Sequence, residues 1–142
     1  MRDLHNNVDI IATIKPVAVG TTGTGQAGDV IDTRGYDAVE ISLSYGAITA
    51  TDATFTPVIL HGDVTGTMTS CADADLLGTE AAAGIAAAAT RVDGVSENVT
   101  KRIGYIGGKR YVQANIVNTV TAATPVAANV ILHRAHNAPV AT

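Results

Sequence analysis

The chain has 142 residues, of which 46% are hydrophobic and 15% charged, with a net charge of −4. That length fits one domain, 1–142, and the apolar fraction can fill a core; the acidic balance lacks the basic footprint that releases counterions from nucleic-acid phosphates. No stretch approaches the roughly 18 apolar residues of a membrane-spanning helix, and Cys71 stands alone, which excludes an intrachain disulfide.

The opening Met-Arg-Asp-Leu-His-Asn-Asn has no apolar run behind its positive charge, so it does not read as a signal peptide and production in the cytoplasm is expected. From Val8 to Val19, apolar residues alternate with others at the strand period, and Pro16 puts this strand at an edge or ends it. Gly20 to Gly28 is a glycine-rich loop. It lacks the Gly-Lys-Ser/Thr of a phosphate cradle and is followed by Asp-Val-Ile-Asp, a strand, where a dinucleotide fingerprint requires a helix.

Asp29 to Thr33 predicts a short strand, and Arg34-Gly35 a turn. Val39, Ile41, Leu43 and Tyr45 alternate with Glu40, Ser42 and Ser44, which predicts a strand with one packed face and one face that is wet or at an interface. Phe55 to His61 is expected as its antiparallel partner, with Pro57 marking an edge or bulge. Gly62 to Glu80 is polar and poor in periodicity, and its Asp73-Ala-Asp75-Leu-Leu-Gly stretch reads as a solvated loop. Ala81 to Arg91 sets helix propensity against Gly84 and the lack of a polar face; it is expected as loop or weak strand, with a short helix as the alternative.

Asp93 to Asn98 is a turn, and Val99 to Ile106 a strand. Gly107-Gly108 between Ile- and Tyr-rich runs predicts a two-residue type I′ hairpin into Lys109 to Val117, with Val126 to His133 able to pair beside it. The segments 1–7 and 134–142 are candidate extended arms reaching a neighbouring molecule. Seven to eight strands at intervals of about a dozen residues, with no major helix, predict an all-β, single-domain antiparallel β-sandwich of jelly-roll type.

Charged residues usually make up about 25% of a globular domain. Here Thr, Ser, Asn, Gly and Ala must cover most of the surface. Such a surface suits burial against other protein, where charge is depleted; a Thr- and Ala-rich coat with no particular interface is the plainer reading.

No pattern in the sequence assembles a catalytic, cofactor or metal site, and the chain is not expected to be an enzyme. Cys71 has no nearby histidine. Asp73 and Asp75 lack the remaining ligands of a calcium loop. His133 and His136 follow a strand pattern, in which positions three apart face opposite ways. Lys101, Arg102, Lys109 and Arg110 would form a small patch around one hairpin, better suited to ion pairs or an interface than to phosphate. Other carboxylates, among them Asp29, Asp32, Asp37, Glu40, Asp52, Asp63, Glu80, Asp93 and Glu97, are scattered.

Three stretches carry a resemblance: the opening heptapeptide; Ile-Asp-Thr-Arg-Gly-Tyr-Asp-Ala-Val-Glu-Ile from Ile31; and Ala-Asp-Ala-Asp-Leu-Leu-Gly from Ala72, joined to Ile-Gly-Tyr-Ile-Gly-Gly-Lys-Arg-Tyr-Val-Gln-Ala from Ile103. Together they resemble small structural proteins encoded in the head-gene clusters of tailed phages and prophages. The resemblance covers most of the chain; 81–98 departs from it in length and alanine content. It implies a virion protein, a capsid decoration or cement protein bound to the major capsid protein, often as a homotrimer. The other readings weighed are a head–tail junction or tail component and a carbohydrate-binding module. The last is poorly served by four Tyr and no Trp.

Overall fold

Alternating side chains build two facing antiparallel sheets in the computed structural model, which describes residues 4–20, 25–120, 123–137 and 140. The strands are β1 (Val8–Val19), β2 (Ile31–Asp32), β3 (Tyr36–Tyr45), β4 (Phe55–Val64), β5 (Thr67–Ser70), β6 (Leu76–Leu77), β7 (Val99–Tyr105), β8 (Tyr111–Asn118) and β9 (Thr124–Ala135). One sheet runs β1-β9-β3-β7-β6 and the other β2-β8-β4-β5. With the two-residue β6 set aside, this is the interleaved strand order of a jelly roll, two Greek keys folded over one core. The predicted all-β sandwich is what the chain forms.

The core is the set of inward alternates. Ile41, Leu43 and Tyr45 of β3 face Phe55 and Ile59 of β4, with Ile103, Val112, Ala114, Ile116, Val130 and Leu132 around them, all buried. Truncating a residue such as Phe55 to alanine costs about 3–5 kcal/mol, the loss of transfer energy plus the cavity left behind. Thr13 is buried with its hydroxyl donating to the Asp29 carbonyl at 2.8 Å, which fastens β1 to the segment leading into β2. Pro16 lies in an edge strand, as predicted, within the second of two register shifts of β1 on β9, the one between Ile14 and Val17.

Several expectations about partners are corrected. β7 and β8 do not form a hairpin: β7 pairs with β3 and β6 in one sheet, β8 with β2 and β4 in the other. The residues between them cross from sheet to sheet. Neither Gly107 nor Gly108 has positive φ, so no type I′ turn forms. Gly107 is required by a close approach instead, because a Cβ there would sit 2.6 Å from the Tyr105 ring. β9 therefore pairs with β1 and β3 and not beside a β7–β8 hairpin.

β4 is not the partner of β3 but stands opposite it in the second sheet, between β8 and β5. The polar stretch 62–80, in which no strand was expected, is partly regular. It holds the end of β4, all of β5 and β6, and a 3₁₀ turn at Asp73–Asp75. Among the described residues the strand count is nine, above the expected seven to eight, because β5 and β6 lack a buried alternate pattern long enough to read.

In the alanine-rich segment the helical alternative holds for one turn, α1 (Glu80–Ala83), with the Thr79 hydroxyl accepting from the Ala82 N–H at 3.1 Å. The described parts of the two expected arms fold back on the body. His5–Asn7 is a 3₁₀ turn, β9 runs to Ala135, and the Val140 N–H donates to the Asn6 carbonyl. Residues 1–3, 138–139 and 141–142 lie outside the described residues, as do 21–24 of the glycine loop.

Along the lower edge of β4 the backbone donors are accounted for one by one. The Phe55 N–H donates to the Ile85 carbonyl, Pro57 has no N–H, and the Ile59 N–H donates to Glu80 Oε1 at 2.6 Å. An edge that β5 does not reach is thus closed by a proline, a carboxylate and one bridge.

Candidate interaction surface

Many of the ionisable side chains named in the sequence are tied into the fold, and among the described residues they do not converge on one site. Arg110 holds Asp32 in a two-pronged pair, Nε to Oδ1 at 3.0 Å and Nη2 to Oδ2 at 2.6 Å, which pulls the Asp32 carboxyl down to about 2. Lys109 pairs with Asp63, Lys15 with Asp29 at 2.8 Å, and His136 with Asp37 at 2.6 Å. Glu97 accepts from the Ile48 N–H at 3.0 Å, and Asp93 from Asn98 Nδ2 at 2.8 Å. The expected patch of Lys101, Arg102, Lys109 and Arg110 is dispersed over the two sheets. Lys101 Nζ caps the Gly84 carbonyl at 2.6 Å, and Arg102 stands near Glu40 at 3.6 Å.

Cys71 is partly buried; desolvation, with Asp75 and Glu80 adding to it, pushes its thiol up to about 12, where it remains protonated. Asp73 and Asp75 lie in the 3₁₀ turn. Among the described residues no group of three His, Cys, Asp or Glu is placed to hold a metal ion.

A groove of about 480 Å³ lies at one end of the five-stranded sheet, lined by Tyr36, Glu40, Leu77, Arg102, Tyr105 and His133 among others. Its polar groups are largely engaged with the protein itself. The Tyr105 hydroxyl accepts from the Lys109 N–H at 3.0 Å and meets His61 Nδ1 at 3.1 Å, and Glu40 faces Arg102. His133 stands exposed at the rim, separate from the His136–Asp37 pair.

What distinguishes this molecule is the outside of its sheets. In the five-stranded sheet Ile41 and Leu43 point inward, so Glu40, Ser42 and Ser44 point outward. Pairing places Ile10, Ile131, Glu40, Gly104 and Leu77 in one row across all five strands, and Ala12, Asn129, Ser42 and Arg102 in the next. Glu40 and Arg102 are the only charged side chains in these two rows. Ile10 and Leu77 bound the first row, exposed by 62% and 59%. On the four-stranded sheet the outward residues include Thr56, Val58 and Leu60 of β4 beside Gln113, Asn115 and Val117 of β8, with no charge among them. Gln113 and Asn115 bond the Gly28 backbone, at 2.6 and 3.0 Å, and so strap the loop before β2 onto β8.

A second exposed apolar feature is the turn at the opposite end of β7, where Val92 and Val95 are 51% and 64% exposed. The turn is held by Gly94 at positive φ and by Ser96 Oγ, which accepts from the Val92 N–H at 2.8 Å. No single motif in the sequence marks the sheet faces. The available signal was the neutral, small-residue alternates of β3, which fit a wet face or an interface equally.

No family model, no curated protein and no solved structure matches the chain.

Proposed function

We propose that this chain is a virion structural protein, a capsid decoration protein that lies on the outer surface of a tailed-phage type head and binds the major capsid protein. In this reading it works mechanically, adding contact area that resists the outward pressure of packaged DNA. The observation that carries the reading is the outer surface of the two sheets, where neutral residues such as Ser42, Asn129, Val58 and Leu60 stand in place of the usual Lys and Glu. Such faces pack against protein with little desolvation cost. An interface of ordinary size is about 1,600 Å² in total. Several copies held together would make attachment durable through avidity. The jelly-roll order agrees with the reading by analogy alone, since lectin domains and cupins share it. The resemblance noted in the sequence supplies the particle.

Cryo-electron microscopy of purified particles containing the protein tests this directly. The expected result is density at many symmetry-equivalent positions on the head. Density confined to one vertex would transfer the protein to the head–tail junction, and its absence from particles would end the proposal.

A further inference from the structure

We propose that the outer face of the five-stranded sheet packs against the same face of a second copy of this chain, in a two-fold contact centred on Glu40 and Arg102. The two residues sit near the middle of the face, Glu40 on the central strand β3 and Arg102 on its neighbour β7. Gly104 leaves room for Glu40 to lie flat, since a Cβ there would come 3.1 Å from Glu40 Oε2.

Within one copy the pair is incomplete. Arg102 Nε lies 3.6 Å from Glu40 Oε1, and the Arg102 side chain is 82% exposed. The Arg102 guanidinium donates no hydrogen bond among the described residues, so its five donors project from a centre whose one other charge is Glu40. A two-fold axis lying in the contact plane, midway between the two side chains and perpendicular to the line joining them, sets Glu40 of each copy against Arg102 of the other. The charges are then self-complementary, which is the condition for an isologous contact.

The residues on the β1 and β9 side of the pair permit close approach, while the groove lined by Leu77 and Tyr105 stays open beside it. Ala12, Ser42 and Asn129 are small or neutral, and Ile10, Ile131 and Leu77 supply apolar area. Four strands spaced by about 4.8 Å and roughly seven residues long, with the two residues of β6 beside them, give a footprint of about 450–500 Å² per copy. Two copies together bury about 900–1,000 Å², the size of a weak, reversible contact. The four-stranded sheet is left free for another partner. The contact gives an even number of copies, in contrast to the homotrimer that the resemblance implies, and it does not rest on the shell proposal because it concerns the free protein.

Charge exchange between copies tests it, with sedimentation measuring association and circular dichroism verifying the fold. Wild type is expected to be a dimer. Glu40→Arg and Arg102→Glu each place like charges in contact twice and should weaken association at least about 100-fold. An equimolar mixture of the two variants should restore a dimer, since position 40 of each chain then meets the opposite charge at position 102 of the other; a pair formed only within one chain gives no such rescue. Ala127→Arg, on the same face, should weaken association with no rescue by either partner. Wild type sedimenting as a monomer at about 100 μM, or as a trimer, would overturn the proposal. So would charge-reversed variants that remain dimeric, or a mixture that remains monomeric.

Discussion

Glu80 closes the edge of β4 by accepting the Ile59 N–H at 2.6 Å, although the two residues lie 21 positions apart. Ile59 is fully buried, so this N–H has no water to turn to. Glu80→Ala should cost about 1–3 kcal/mol, the penalty for a buried donor left without an acceptor. Glu80→Gln keeps an oxygen in place and should cost less. Urea denaturation of the three proteins measures the order, and an alanine variant as stable as wild type would contradict the assignment.

The crossing between the sheets predicts unequal glycines. A Cβ at Gly107 would meet the Tyr105 ring at 2.6 Å, while one at Gly108 meets nothing within 4 Å. Gly107→Ala should therefore destabilise by about 1–3 kcal/mol, as overpacking does, and Gly108→Ala should be close to neutral. A type I′ hairpin would have penalised both, so thermal melts of the pair separate the two geometries.

Arg91 holds two loops through their carbonyls. Its Nη2 donates to Ala50, Thr51 and Ala53, and its Nη1 to Ala86, over 2.7–3.0 Å. Arg91→Ala should cost about 2–3 kcal/mol, in keeping with hydrogen bonds to a charged group. Arg91→Lys should recover little, because a compact ammonium cannot span these acceptors as the planar fork does. Hydrogen exchange should show faster opening of 46–54 and 86–91 in both variants, ahead of the core strands.

The Asp32–Arg110 pair predicts a pH dependence. The folded carboxyl titrates at about 2 against an ordinary 3.8, so its contribution is present above that ordinary value and is lost as pH falls through 2. The side chains are 38% and 39% exposed, and water screening limits the contribution to about 1 kcal/mol or less. Asp32→Asn should be slightly less stable than wild type at neutral pH, and the gap should close between about pH 4 and 2. A gap unchanged at the acid end would assign the difference to something other than this carboxylate.

Strands with a buried alternate set were legible in the sequence, and their partners were not. Val39 to Tyr45 announces its inward face, yet nothing in that pattern says that β7 and β9 flank it while β4 stands across the core. Alternation fixes which side of a sheet a residue occupies; pairing is decided by packing among all strands at once. Gly107-Gly108 misled for a related reason, since a glycine tolerated for close approach looks the same in sequence as one needed for positive φ. Thr67 to Ser70 was unreadable because a short edge strand with no fully buried residue has no apolar period. The outer faces were half legible: the charge deficit is plain in composition, but its concentration on the sheets depends on the register.

The place of β9 between β1 and β3 governs how the molecule can be made. The earliest and latest strands are neighbours, and the latest is interior to its sheet. A nascent chain still lacking β9 leaves β1 with no partner in its sheet and one edge of β3 unpaired. Folding of this sheet must therefore wait until β9 has cleared the ribosome, and such late, sequence-distant closure is intrinsically slow. A stop codon placed just before Thr124 would yield an insoluble fragment rather than a shortened but working subunit.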